Sequence, residues 1–163
     1  LSPFDCAALI YRDPTPARLA HTQHAGYLDA IIDDAVYNPA DHAHVLTRRA
    51  RGVPFWFSLA VHGTDAYRDA IEHTLSVARA TRDLVVAAEH LELLVEPELS
   101  VVAFRRRGWG ADDYQAWCDR LMADGTAMLT PTTFGGSPAM RVCIINPRTT
   151  LDDLVEIFAT LES

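Results

Sequence analysis

The sequence predicts an α+β fold in which a largely antiparallel sheet is covered by helices on one side. Three observations carry this expectation. Two pairs of β-prone runs, "LELLV" with "LSVVAFR" and "TAMLT" with "AMRVCII", are each joined across turn-forming residues. Helical periodicity fills the stretches between and around these pairs. The 163 residues, 49% of them hydrophobic, suffice for one substantial core or for one lobe of a larger protein.

Residues 5–12, "DCAALIYR", read as a short apolar strand, and the two prolines of "DPTPAR" cannot continue it, so a loop is expected to follow. From 17 to about 46 no period is visible: His, Gly, Asn and Pro surround one short apolar island, Ile31 and Ile32. In a compact domain such a stretch is usually a functional loop or lies against another subunit. Residues 53–62 form a short helix ending at Gly63, with Trp56 expected in the core. Thr64 is a plausible N-cap for a second, longer helix, where Tyr67, Ile71, Leu75, Ala78, Val85 and Ala88 approximate one face.

Strands are expected at 91–95 and 99–105, turned by "EPE" and paired with each other. The segment 111–125 has acids in its first turn, a stripe of Tyr114, Trp117, Cys118 and Leu121, and a terminal glycine, all signs of an amphipathic helix. Strands at 126–130 and 139–145 are joined across "TFGGSP", in which "FGG" makes a tight turn. A Thr-x-x-Asp capping box opens the last helix, which sets Leu151, Leu154, Phe158 and Leu161 on one face.

Composition narrows the function. The formal charge is −8, from 22 acidic and 14 basic residues, and every basic residue counted there is arginine; the sequence contains no lysine. An acidic chain repels phosphate backbones, and "RRAR" and "RRR" are too short and isolated to form a basic face, so nucleic acid is not an expected partner. Cys6, Cys118 and Cys143 are widely spaced within apolar stretches, the pattern of buried free thiols in a reducing compartment. The longest apolar run, "VPFWFSLAV", is far shorter than the ~20 residues that cross a bilayer. A soluble, cytoplasmic protein without a membrane partner is expected. His21 with His24, and His42 with His44, lack the Cys or carboxylate companions of a metal site, so no metal is expected. No nucleophile elbow, dinucleotide fingerprint or P-loop occurs.

Five segments in order, "FDCAAL", "GYLDA", "TRRARGVPFWFSLAVHG", "LSVVAFR" and "MRVCIINPRTTLDDL", together spanning almost the whole chain, resemble the group II pyridoxal-phosphate-dependent amino acid decarboxylases. That family includes aromatic-amino-acid, glutamate and diaminobutyrate enzymes. The resemblance implies the aspartate-aminotransferase-like architecture (PLP fold type I), with 1–46 as the end of the large domain, catalytic loop and linker, and 47–163 as the C-terminal small domain. It implies pyridoxal 5'-phosphate as cofactor, a small amino acid as substrate, and a homodimer. In the family, the lysine that anchors the cofactor lies shortly before the segment matching "FDC". The chain, which opens on Leu1 without Met, is therefore expected to be a C-terminal part that needs an upstream large domain and is inactive alone.

Residue by residue, the resemblance assigns Tyr27 as the loop acid that returns a proton to the substrate's Cα. Thr47 is implied as a hydrogen-bond donor to the cofactor phosphate of the partner subunit, with Arg48 or Arg49 pairing across that interface. Arg141 interrupts an apolar strand. It either binds a substrate carboxylate or holds structure. The alternative from another class is a non-catalytic α+β module, derived from the same lobe and used for dimerisation or assembly.

Overall fold

The computed structural model describes residue 5 and residues 7–22, 37–45 and 47–162. Two compact units are present, residues 2–61 and 62–163.

In the first unit the described part of the apolar run 5–12 has no strand partner. Leu9 and Ile10 stand exposed, and residues 7–11 form no regular element. This corrects the expected strand: β-propensity becomes a strand only where another strand satisfies its backbone groups. The expected loop contains instead a helix, α1 (Thr15–His21), because Pro16 falls in its first turn, where a missing N–H costs nothing. Asp13 Oδ1 accepts from Thr15 N (3.0 Å), and that bond holds its carboxyl below the usual range. A 3-10 turn, Pro39–His42, is opened by Asn38, whose side chain accepts from Ala40 N. Arg18 reaches Asp41 at 3.5 Å, tying the turn to α1.

Helix α2 (Gly52–Ala87) is broken where the sequence places its glycine: Gly63 has φ 77° and ψ 161°, a conformation open essentially to glycine alone. Before the break, Trp56 is 66% exposed, not buried as its apolar setting suggests, because no residue among those described covers it. After the break, the buried face runs through Thr74, Val77, Ala78, Thr81 and Val85. Ile71 is exposed, so the face is rotated from the expected stripe toward two threonines. Burial of these hydroxyls is tolerated because each donates backward along the helix, Thr74 to Ile71 O and Thr81 to Val77 O, both at 2.8 Å.

The sheet of the second unit contains β1 (Leu91–Leu93), β2 (Val101–Arg106), β3 (Thr132–Phe134) and β4 (Ser137–Cys143), in the order β1-β2-β4-β3 and antiparallel throughout. The "EPE" turn is fixed by a two-pronged pair from Arg82 of α2 to Glu96, at 3.0 and 2.7 Å. Residues 126–130, expected as a strand, lie outside the sheet. The amides of Thr126 and Ala127 instead close the end of α3 (Ala111–Ala123) on Leu121 O, and Ala127 and Leu129 pack against the core. The hairpin explains the shift: Gly135 and Gly136 both have positive φ (58° and 78°), as a two-residue turn requires, so the paired strands must abut them.

One face of the sheet presents Val102, Phe104, Met140 and Val142 to α3, α4 (Leu151–Ala159) and the second part of α2. Trp117, Tyr114, Phe104, Met140 and Leu161 are each under 2% exposed, and burial of each such side chain stabilises by roughly 1.5–3 kcal/mol. Tyr114, Trp117, Cys118 and Leu121 are all buried as expected. The box at Thr150 also forms: Thr150 Oγ1 accepts from Asp153 N, and Asp153 accepts from Thr150 N at 2.8 Å. Among the described residues, no helix is long and apolar enough to cross a membrane.

Candidate functional site

From Met140 onward strand β4 alternates, and that alternation sets the site. Met140, Val142 and then Ile144 point into the core, leaving Arg141 and Cys143 on the open face. The expectation of a buried Cys143 is thereby corrected, since it shares the parity of Arg141; Cys118 is buried, and burial pushes its thiol up, away from reactivity. Cys6 lies outside the described residues.

Across from Arg141 in β2 is Ala103, too small to crowd a guanidinium. Two residues further along β2, on the same face, Arg105 is fully engaged. Its Nε donates to Pro138 O (3.0 Å), its Nη2 to Phe134 O (3.3 Å), and its Nη1 lies 3.7 Å from Glu92. That side chain spans the sheet from β1 to the β3–β4 hairpin. Arg141 makes no hydrogen bond or ion pair with the described residues. The two arginines therefore differ in kind: one staples the sheet, and the other presents an open fork suited to a carboxylate.

Behind this face the end of β2 is held rigid. Tyr114 Oη accepts from Arg106 N (2.8 Å), and burial raises the phenol's pKa, keeping it protonated. Arg106 lies over the Trp109 ring, 4.9 Å from its centroid, and its Nε donates to Leu161 O (2.8 Å). The sequence reading singled out Arg141 but not Arg105. The only available signal is parity: Arg105 follows the inward-facing Phe104 and so shares the open face with Ala103, within a run of three arginines.

Of the other site residues, Tyr27 lies outside the described residues. Thr47 is exposed in the first unit and does not line the small open cleft of about 170 Å³ there, which is formed by Asp5, Arg49, Ala50, Arg51 and Pro54. Arg49 faces Asp5 there at 4.0 Å. Thr47 and Arg141 belong to different units, each described by itself. Among the described residues, no group of three or more His, Cys, Asp or Glu could hold a metal ion.

The model of the pyridoxal-dependent decarboxylase conserved domain matches residues 1–107. The chain is 28% identical over 162 residues to an L-2,4-diaminobutyrate decarboxylase of Acinetobacter baumannii, covering 94% of this chain and 32% of that protein. It is 32% identical over 159 residues to the enzyme of the same name from Rhizobium meliloti, covering 92% and 32%. Its fold superposes on mouse CSAD in apo form with a TM-score of 0.67 at 20% identity, over 90% of this chain and 33% of that one. The chain thus spans about a third of the length of these relatives.

The residues present do not by themselves fit a pyridoxal phosphate group. The sequence has no lysine for the aldehyde. The buried polar residues among those described are Thr74 and Thr81, so no buried carboxylate faces a pyridine nitrogen.

Proposed function

The chain belongs to the pyridoxal-dependent decarboxylase family, and from that premise we propose that it is the C-terminal portion of an enzyme that converts an L-amino acid to an amine and carbon dioxide. The observation that carries this reading is the family match over residues 1–107, together with the absence of lysine. The cofactor's covalent anchor then comes from an upstream large domain, and the isolated chain is inactive. Residues 1–46 complete that large domain with its loop and linker, 47–163 form the small domain, and two subunits pair in the cytoplasm.

Three residues of this chain take roles around the cofactor. Tyr27 carries a phenolic hydroxyl that can act as a general acid, and it returns a proton to Cα after carbon dioxide leaves. Thr47, exposed among arginines, donates to an anionic oxygen of the phosphate. Arg141 binds a carboxylate on the substrate side chain, a role supported by its exposure and by its lack of a partner among the described residues. A cation fixed on the departing carboxylate would stabilise the ground state more than the charge-dispersing transition state, so that carboxylate is not its target.

The test is an assay of the full-length protein against L-Dopa, tyrosine, glutamate and diaminobutyrate while the cofactor absorbance is followed. Amine formation by the full-length protein and none by the isolated chain are expected. A full-length protein that binds no pyridoxal phosphate would falsify the reading. Tyr27→Phe should retain cofactor absorbance and lower amine yield about 10²-fold or more, as loss of a general acid does. Unchanged amine formation removes Tyr27 from the mechanism.

A further inference from the structure

The open face of the sheet carries a short apolar floor that ends at Arg141. In the β2–β4 register Val101 lies opposite Cys143 and Ala103 opposite Arg141. Leu94 N donates to Ala103 O (3.0 Å), which sets Leu94 beside Ala103 on the β1 side. Ile144 N donates to Ser100 O (2.8 Å) and brings Leu99 and Ile145, each 71% exposed, together at the end of the same strands. Apolar side chains thus lead up to one guanidinium. The other arginine of this face, Arg105, is engaged by Pro138 O, Phe134 O and Glu92. Arg141 is exposed and makes no hydrogen bond or ion pair with the described residues.

We propose that this floor binds a straight-chain monocarboxylate, whose carboxylate takes the Arg141 fork and whose hydrocarbon tail lies over Ala103, Val101 and Cys143 toward Leu99 and Ile145. Both ends of such a molecule are matched. A bare anion would leave the apolar residues in water, and a neutral hydrocarbon would leave the guanidinium unpaired. The size of the floor argues against a macromolecule. At ~3.3 Å per residue and ~4.8 Å between strands it measures about 13 Å by about 10 Å, on the order of 130 Å². A protein partner needs about 800 Å² on each side. A second copy turned face to face would also bring two unpaired guanidinium groups together. Anionic lipid is disfavoured by the net charge of −8 and by a single open cation on this face. The ligand shares Arg141 with the side-chain carboxylate of the substrate proposed above, so it competes with such a substrate. Its binding rests on the floor and the fork and not on decarboxylation.

The experiment is a ligand-observed NMR titration of the full-length protein with sodium butanoate, hexanoate and octanoate, and with octan-1-ol as the uncharged control. Affinity should rise about two- to fourfold for each added CH₂ as the tail leaves water. Arg141→Gln should lower the affinity for octanoate about tenfold or more, as loss of a charge-assisted pair does. Ile145→Ser, at an exposed position, should keep the circular dichroism spectrum and flatten the rise from butanoate to octanoate. A flat series in the unaltered protein marks an anion on Arg141 only and overturns the proposal. So does octanoate binding untouched by Arg141→Gln, a rise unchanged by Ile145→Ser, equal binding of octan-1-ol, or no saturable binding at all. Amine formation measured on the same preparation separates the two readings. Octanoate binding without amine formation leaves the site standing and the enzymatic reading fallen, and amine formation without octanoate binding does the reverse.

Discussion

The two units use their apolar residues in opposite ways. In residues 62–163 the large side chains converge: Phe104 packs on Phe158 with ring centroids 4.9 Å apart, and Trp109 meets both Tyr114 and Trp117 edge-on. In residues 2–61 the buried hydrophobic residues among those described are Ala17 and Ala43, while Leu9, Ile10, Leu19, Trp56 and Phe57 face outward. Both stretches are rich in apolar residues, so hydrophobicity alone does not make a core. A core needs elements whose apolar faces can close on one another within the same unit.

The largest effect that would test this contrast is a deletion inside the closed core. Phe104→Ala should lower the unfolding free energy by about 3–5 kcal/mol in urea denaturation. Ile10→Ala, at a position 90% exposed, should stay within about 0.5 kcal/mol. Equal losses from the two substitutions would abolish the distinction. Next in size is the β3–β4 turn. Gly136→Ala forces an L side chain to a positive φ and should cost about 1–2 kcal/mol, with hydrogen exchange rising first in β3. Trp117→Phe keeps most of the ring but loses the indole N–H donated to Thr160 Oγ1 (2.8 Å), and about 1 kcal/mol with it.

The pH response should also differ by element. The carboxyl of Asp153 is held low by the Thr150 backbone amide it caps and by the Thr150 side chain. A depressed carboxylate contributes stability that is fully present above its unfolded pKa and is lost as pH falls through its folded one. Helix α4 should therefore loosen in acid below about pH 4, and Asp153→Asn should flatten that acid limb in circular dichroism. Asp13 has the same sign of shift at α1, so Asp13→Asn should flatten the acid response of the first unit alone. The smallest effect belongs to Arg141→Gln, which should leave stability within about 0.5 kcal/mol while raising the full-length enzyme's KM for a substrate with a carboxylate side chain. A large loss of stability would instead make Arg141 a structural residue.

What could be read in advance follows how local each determinant is. The box at Thr150 and Asp153, the break at Gly63 and the stripe of α3 all rest on neighbours within a few residues, and all form. Gly135–Gly136 is legible as a turn, and a two-residue turn fixes where both strands begin, which puts β3 at Thr132–Phe134 and not at 126–130. Cys143 could have been placed by parity with Arg141. The fate of Trp56 and of residues 7–11 was not legible at all, because exposure depends on what lies opposite, and no local pattern encodes that. For the site, Arg141 was visible as a charge in an apolar run, but the stapling role of Arg105 depends on contacts with Pro138 and Phe134, about thirty residues away.

The closure of the second unit is made by its last helix and the residues just after it: Phe158 covers Phe104, Thr160 Oγ1 accepts from the Trp117 indole N–H, and Leu161 O accepts from Arg106 Nε. During translation, β2 leaves the ribosome some fifty residues before these contacts can exist. Until then the apolar face of β2 stays in water, open to the non-native association that incomplete chains undergo.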